Sequence, residues 1–138
     1  MSDVVLDASA VLAYALGEPG ADLVRKQLFG AVMSAVNYSE VLKKTIERGG
    51  DMEATATLLA GARVDVVSFD SLHAAHTAKL FGETKDRGLS FADRACLSLA
   101  IDLGAALYTA DKRLAGVKAP IDVVLIREPV AAGAKKRK

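Results

Sequence analysis

The feature that most constrains this chain is a repeated local pattern: a short apolar run, closed by a polar residue that starts a helical stretch. Val4-Val5-Leu6 is followed by Asp7-Ala8-Ser9 and a helical stretch over 10–16, ended near Gly17 and Pro19. The pattern returns later, with an apolar run over 31–35, alternation over 64–69, a strand over 105–108 and a last strand over 121–126. Strands separated by helices pair in parallel, with the crossover helices covering both faces of the sheet. The expected fold is therefore α/β, a three-layer α/β/α sandwich around a central, mostly parallel sheet.

The intervening stretches read as helices. Residues 21–28 form one, stopped by Gly30. Asn37 is expected to cap the next, whose positions Tyr38, Val41, Leu42 and Thr45 recur at helical spacing before Gly49-Gly50 ends it. Residues 52–62 form another. Asp70 is expected to cap a helix reaching about Leu80, with a polar loop over 82–88. Ser90 opens a largely apolar helix, with Ala92, Ala95, Cys96, Leu99 and Leu103 on one face and Leu97 and Ile101 on a neighbouring file. Only Arg94, Ser98 and Asp102 form its polar stripe, and Gly104 stops it. There is no internal repeat.

With 138 residues, 51% of them hydrophobic, one domain over 1–128 with a filled core is expected. Residues 129–138 end in Lys135-Lys136-Arg137-Lys138 and are expected to form a disordered basic tail. No apolar stretch approaches the ~18 residues of a membrane span, and Met1-Ser2-Asp3 is not a signal-peptide start, so a cytoplasmic protein without membrane contact is expected. A single cysteine, Cys96, excludes an internal disulfide and a cysteine-based zinc site. Aromatic residues at 5% argue against a stacking platform for single-stranded nucleic acid. The 18 Lys and Arg face 17 Asp and Glu; with the four terminal cations set aside the body is mildly acidic, unlike a broad basic nucleic-acid face.

In an open parallel sheet, ligands bind beyond the carboxyl ends of the strands, near the point where strand order reverses. Acids stand at such places here. Asp7 follows the first strand, Glu40 lies early in the helix after the second, Asp93 begins the helix before the fourth, and Asp111 follows that strand. Helix capping alone would explain each one: Asn37-x-x-Glu40 and Ser90-x-x-Asp93 both fit a capping box, and Asp7 and Asp111 precede helices or turns. Four coincidental caps at one sheet edge are a much less economical explanation.

The segments Leu6-Asp7-Ala8-Ser9-Ala10, Asn37-Tyr38-Ser39-Glu40-Val41, Leu89-Ser90-Phe91-Ala92-Asp93-Arg94-Ala95-Cys96-Leu97 and Tyr108-Thr109-Ala110-Asp111-Lys112-Arg113 resemble, in order, the four motif blocks of PIN-domain nucleases. They are most similar to the VapC-type toxins of bacterial toxin-antitoxin modules. The resemblance spans roughly residues 4–126. It implies an acidic quartet of Asp7, Glu40, Asp93 and Asp111, with Ser9, Asn37 and Thr109 as polar neighbours. It further implies adjacent first and fourth strands, which would bring Asp7 and Asp111 together. Implied too are metal-dependent hydrolysis of structured RNA such as tRNA or ribosomal RNA, a cognate antitoxin protein and a homodimer. Lys112 and Arg113 depart from the pattern, which commonly has an aromatic or apolar residue soon after the last acid.

Four carboxylates in one cleft repel, by about 3 kcal/mol for a pair about 5 Å apart at an effective dielectric of about 20. Such a site holds protons or binds cations. All-oxygen ligands favour Mg²⁺ or Mn²⁺ over zinc. Asp7, Asp93 and Asp111 are expected as direct or water-mediated metal ligands, Glu40 as a ligand or water-orienting base, and the hydroxyls of Ser9 and Thr109 as their supports. Arg94 and Lys112, next to two of the acids, are candidate contacts to RNA phosphates. His73 and His76, at i and i+3, lack a third ligand nearby in sequence, and Cys96 reads as a small core residue. A dehalogenase-type phosphatase would need an acid at position 9, occupied by Ser9, and a receiver-like phosphoacceptor would need an acidic neighbour beside Asp7. The remaining alternative is a PIN-like module used only for interaction, against which the intact quartet argues.

Overall fold

Successive residues of each strand point to opposite faces of one sheet, and each face has its own core. The computed structural model describes residues 3–128, so the tail expected over 129–138 lies outside the described residues. Strands β1 (Val4–Leu6), β2 (Val32–Ser34), β3 (Asp65–Val67), β4 (Ala106–Thr109) and β5 (Val123–Leu125) lie in the order β3-β2-β1-β4-β5, every neighbouring pair parallel. Leu6, Met33 and Tyr108 face one core, built with α1 (Ala8–Leu16), α2 (Ala21–Leu28), α3 (Ala35–Glu47) and α4 (Met52–Gly61). Val5, Val32 and Leu107 face the other, with α5 (Ser71–Glu83), α6 (Phe91–Leu103) and the short α7 (Lys112–Ala115). This is the expected α/β/α sandwich, and its sheet is parallel throughout.

Strand order reverses between β1 and β4, whose register pairs Leu6 with Tyr108. A crevice at that reversal follows from topology, because the connections leaving the two strands depart in opposite directions. Two glycines set turns in the chain around these strands. Gly104 takes a left-handed φ of 64° and caps α6, turning the chain into β4. Gly20, at φ 96°, lies so close to Ile126 that an added Cβ would stand 2.9 Å from the Ile126 carbonyl oxygen. That approach joins the start of α2 to the chain leaving β5.

Several boundaries differ from the sequence expectation for local reasons. Helix α1 starts at Ala8 rather than residue 10, because the Asp7 carboxylate accepts the Ala10 N–H. Ser34, not Asn37, caps α3: its hydroxyl accepts the Val36 N–H, and Asn37 lies within the helix, buried. The capping box expected of Asn37 and Glu40 therefore does not form. Helix α5 continues to Glu83, past Leu80 and into the expected loop, where Thr84 closes it by donating its hydroxyl to the Leu80 carbonyl at 2.8 Å. Beyond it lies a single 3-10 turn, Lys85–Arg87. On α6, Ser98 of the expected polar stripe is buried and Leu103 is exposed. The reason is α5, which packs along that stripe: Arg94 donates to the Thr77 carbonyl and His76 meets Asp102 at 2.7 Å. Among the described residues no helix is long and apolar enough to cross a membrane.

Candidate active site

Asp7 leaves β1 into the crevice and is 4% exposed. One carboxylate oxygen, Oδ1, accepts from the Ser9 hydroxyl at 2.7 Å and from the Ala10 N–H at 2.8 Å; the other, Oδ2, accepts from the Thr109 hydroxyl at 2.5 Å. Each hydroxyl also accepts a backbone N–H, Ser9 from Ala110 across the crevice and Thr109 from Asp111 two residues on in its own segment. An ionised carboxylate can only accept, so both hydroxyl protons point to Asp7, with the Ser9 and Thr109 oxygens 3.3 Å apart. The web ties the ends of β1 and β4 together and leaves acceptor capacity on Oδ2. Burial raises the Asp7 carboxyl to a pKa of about 6; the three donors pull it down, and the charge of Asp93 adds to the rise.

Asp93 enters from the first turn of α6. It completes the capping box expected from sequence: its Oδ2 accepts the Ser90 N–H at 2.9 Å, and its own N–H donates to the Ser90 hydroxyl at 3.1 Å. Asp111 caps α7 through the Arg113 N–H at 2.8 Å and pairs with the Arg113 guanidinium at 3.1 Å. Partial burial pushes the Asp111 carboxyl up, but the hydrogen bonds and charge of Arg113 outweigh it and hold the group below its ordinary range. Glu40 has no hydrogen bond or ion pair among the described residues. Three of the four acids thus cap helices, and the same capping geometry holds them at the crevice.

Asp7, Glu40, Asp93 and Asp111 line one cleft of about 380 Å³, together with Ser9 and Asn37. Thr109, fully buried, stands behind Asp7. Asn37 donates its amide to the Ala92 carbonyl at 3.2 Å, joining α3 to the start of α6, and this bond fixes which way the amide is turned. Its Oδ1 is buried and has no hydrogen-bond partner among the described residues. Arg94 and Lys112 do not line the cleft: the Arg94 guanidinium sits on α5, 5.6 Å from the Phe81 ring centre. His73 and His76 also lie outside it. Cys96 is buried beneath, its thiol raised by burial and by the charges of Asp7 and Asp93, so it is an inert packing group.

Lys44, Arg48, Arg113 and Arg127 line the cleft as well; sequence reasoning missed Lys44, Arg48 and Arg127 and named Arg113 only as a departure from the motif pattern. Glu18 sits between two of them, 3.7 Å from Arg48 and 3.3 Å from Arg127. A signal for part of this set was present: Asn37, Glu40, Lys44 and Arg48 follow one another at spacings of three and four, one file along α3. Arg127 carried no such signal, because the approach at Gly20 is what places it; it donates to the Pro19 carbonyl at 3.0 Å.

The donor set suits a hard divalent cation. Every candidate ligand is oxygen, and the buried Asp7 anion lacks a cationic partner. Among the described residues no three His, Cys, Asp or Glu side chains are grouped so as to hold an ion directly. Mg²⁺ does not require that, since it keeps several waters and is commonly held by one or two carboxylates. The orphaned Asn37 Oδ1 is the type of buried acceptor that such a water satisfies.

A family model described as the PIN domain matches residues 4–120, which include all four acids. No curated protein sequence matches the chain. Among solved structures, a toxin-antitoxin complex from Klebsiella pneumoniae has a TM-score of 0.70 at 18% identity, covering 88% of this chain and 100% of its own. VapC20 of Mycobacterium tuberculosis, described as a sarcin-ricin loop cleaving toxin, has a TM-score of 0.69 at 16% identity, covering 84% of this chain and 97% of its own. DNA-bound VapBC from Salmonella typhimurium has a TM-score of 0.66 at 17% identity, covering 89% of this chain and 97% of its own. At such identities the likeness is one of fold. The family model, however, runs from β1 through α7 to the approach of β5 and takes in every acid of the cleft, and the chain belongs to the PIN domain family.

Proposed function

We propose that this chain is a divalent-cation-dependent endoribonuclease, the toxin of a type II toxin-antitoxin module, hydrolysing phosphodiester bonds in structured RNA such as tRNA or ribosomal RNA. The observation that carries this reading is the meeting of four acids from separate elements, Asp7, Glu40, Asp93 and Asp111, in one cleft at the sheet's switch point. Asp7, Asp93 and Asp111 would hold Mg²⁺ or Mn²⁺ directly or through water. An ion bound there supplies a lowered water pKa and offsets charge on the phosphodiester. Glu40 is a further ligand or the base that orients the water. As base it would take a proton while the water oxygen attacks phosphorus and the bond to the leaving oxygen breaks, that oxygen taking a proton from solvent. Ser9 and Thr109 keep the Asp7 carboxylate in place, and Asn37 holds α3 and α6 together across the cleft. Lys44, Arg48 and Arg127 attract the backbone phosphates.

Membership of the PIN family supports the nuclease assignment, and the toxin-antitoxin structures of like fold support a cognate antitoxin as partner. A homodimer acting in the cytoplasm belongs to the same reading. The test is cleavage of cellular RNA by the purified chain with and without added Mg²⁺ or Mn²⁺, read by sequencing new 5′ ends. Cleavage is expected to need the ion and to be lost in Asp7→Asn, which removes a charge at the scissile phosphate. Activity that persists in excess chelator overturns metal dependence. The interaction-only reading draws support from the lack of a tight three-acid group among the described residues, and absence of any cleavage under all these conditions would favour it.

A further inference from the structure

Of the four acids Asp7, Glu40, Asp93 and Asp111, Asp111 is the one that already pairs with a cation among the described residues. Its Oδ1 accepts the Arg113 N–H at 2.8 Å and its Oδ2 pairs with Arg113 Nη2 at 3.1 Å, with 27% of the Asp111 side chain exposed against 58% for Arg113. The guanidinium is braced as well as paired, Nη1 donating to the Gly88 carbonyl at 3.1 Å, while the Arg113 backbone carbonyl accepts from Arg87 at 2.9 Å. A guanidinium has five N–H donors; two are used here, and the group lines the same cleft as the four acids. A divalent ion and a guanidinium compete for one carboxylate, because each adds positive charge at the same oxygen. Both also neutralise phosphate, and an arginine released from a carboxylate presents its fork to the next oxyanion within reach.

We propose that Arg113 is a substrate-positioning residue with a resting partner: it holds Asp111 until a divalent ion takes that carboxylate, and the released guanidinium then grips the RNA phosphodiester. The inference rests on the nuclease reading above and concerns the order in which ion and RNA occupy the cleft. It couples the two ligands positively, since the ion frees the arginine that the RNA needs, and by linkage RNA tightens the ion to the same degree. Removing the arginine therefore acts with opposite signs on the two ligands. A residue that only braces α7 against the Gly88 turn would weaken both when lost.

The experiment uses the full chain and two ligands measured separately, Mn²⁺ alone by electron paramagnetic resonance and an RNA hairpin by fluorescence anisotropy. Arg113→Met, which keeps the aliphatic stem, is expected to bind Mn²⁺ about fivefold or more tightly than wild type, a coupling typical of linked sites. It is expected to bind the hairpin more weakly when Mn²⁺ is saturating. Asp111→Asn frees the arginine without touching it, so it is expected to lose Mn²⁺ affinity while binding the hairpin without metal at least as well as wild type. Unchanged or weaker Mn²⁺ binding by folded Arg113→Met overturns the proposal. So does loss of hairpin binding in Asp111→Asn, a result that remains decisive if the arginine variant fails to fold. If wild type and both variants bind no Mn²⁺, the metal-dependent reading fails first and this inference with it; if wild type binds Mn²⁺ and Arg113→Met does not differ, only the inference fails.

Discussion

Asp7 stays charged in the cleft against the pull of its surroundings. Burial raises its pKa to about 6 from an ordinary 3.8, so between those values the folded chain keeps a proton that the unfolded chain releases. Stability from this group is thus fully present below about pH 4, falls as pH rises through that window, and is lost above about pH 6. The shift corresponds to a penalty on the order of a few kcal/mol for the metal-free protein at neutral pH. Asp7→Asn removes the titration, and its effect on the hydroxyls of Ser9 and Thr109 does not change with pH. The metal-free variant should therefore gain on wild type as pH rises, the difference in melting temperature being greatest above pH 6 and smallest below pH 4. Thermal melts across pH 3.5 to 8 check this, and a difference independent of pH would show that Asp7 is not perturbed by burial.

At the scale of single elements, α6 separates two jobs that meet in Asp93. The helix needs its cap, made by Ser90 and Asp93 reciprocally, and the proposed function needs the Asp93 charge in the cleft. Ser90→Ala breaks the box while keeping that charge, and should cost about 1 kcal/mol. Its melting temperature should still rise with Mg²⁺. Asp93→Asn keeps an acceptor for the Ser90 N–H but loses the charge, which costs about 0.3 to 1 kcal/mol at a helix N-terminus and relieves repulsion with Asp7. It should melt close to wild type without metal and lose most of the Mg²⁺ response, since only selective binding to the folded state raises the transition. Melts of both variants with and without Mg²⁺ distinguish the jobs; an undiminished response in Asp93→Asn would remove Asp93 from the metal site. The helix α3 carries a parallel lesson. Its polar file of Asn37, Glu40, Lys44 and Arg48 was legible in the helical spacing, but the true cap, Ser34, was hidden in what read as an apolar run. A serine there belongs both to the last strand position and to the helix start, and only the backbone decides which.

Over the whole molecule, a mildly acidic body with a cationic rim around an acidic floor implies a split in how RNA affinity and catalysis respond to salt. In the proposed function the cleft cations would bind phosphates by releasing counterions, with a slope near −0.7 per contact for single strands. Lys44 lines the cleft and has no ion-pair partner among the described residues, unlike Arg48 and Arg127, which share Glu18. Lys44→Ala is expected to reduce the salt slope of RNA binding by about 0.7, to raise KM several-fold and to leave kcat nearly unchanged. Binding isotherms over a range of KCl concentrations, with steady-state cleavage alongside, provide the check. An unchanged slope would mean that Lys44 makes no phosphate contact.

The order of strands and helices, the parallel character of the sheet and the four acids were all legible in the chain, because each is a local property. Short apolar runs, helical periodicity and an acid just past a strand end are written within a few residues of one another. The separate capping roles of Asp7, Asp93 and Asp111 were legible for the same reason. What the tertiary structure decided is what depends on contacts distant in sequence. Asn37 is turned inward by the Ala92 carbonyl, 55 residues away. Arg94 is drawn to Thr77 on α5 instead of the cleft. Arg127 reaches Glu18 because Gly20 lets the chain after β5 approach. Arg113 was visible as a departure from the motif, but its guanidinium is also held by the Gly88 carbonyl, 25 residues away in sequence. Side-chain direction at such positions is set by which backbone carbonyl or carboxylate the packing brings within reach, and no local pattern encodes that.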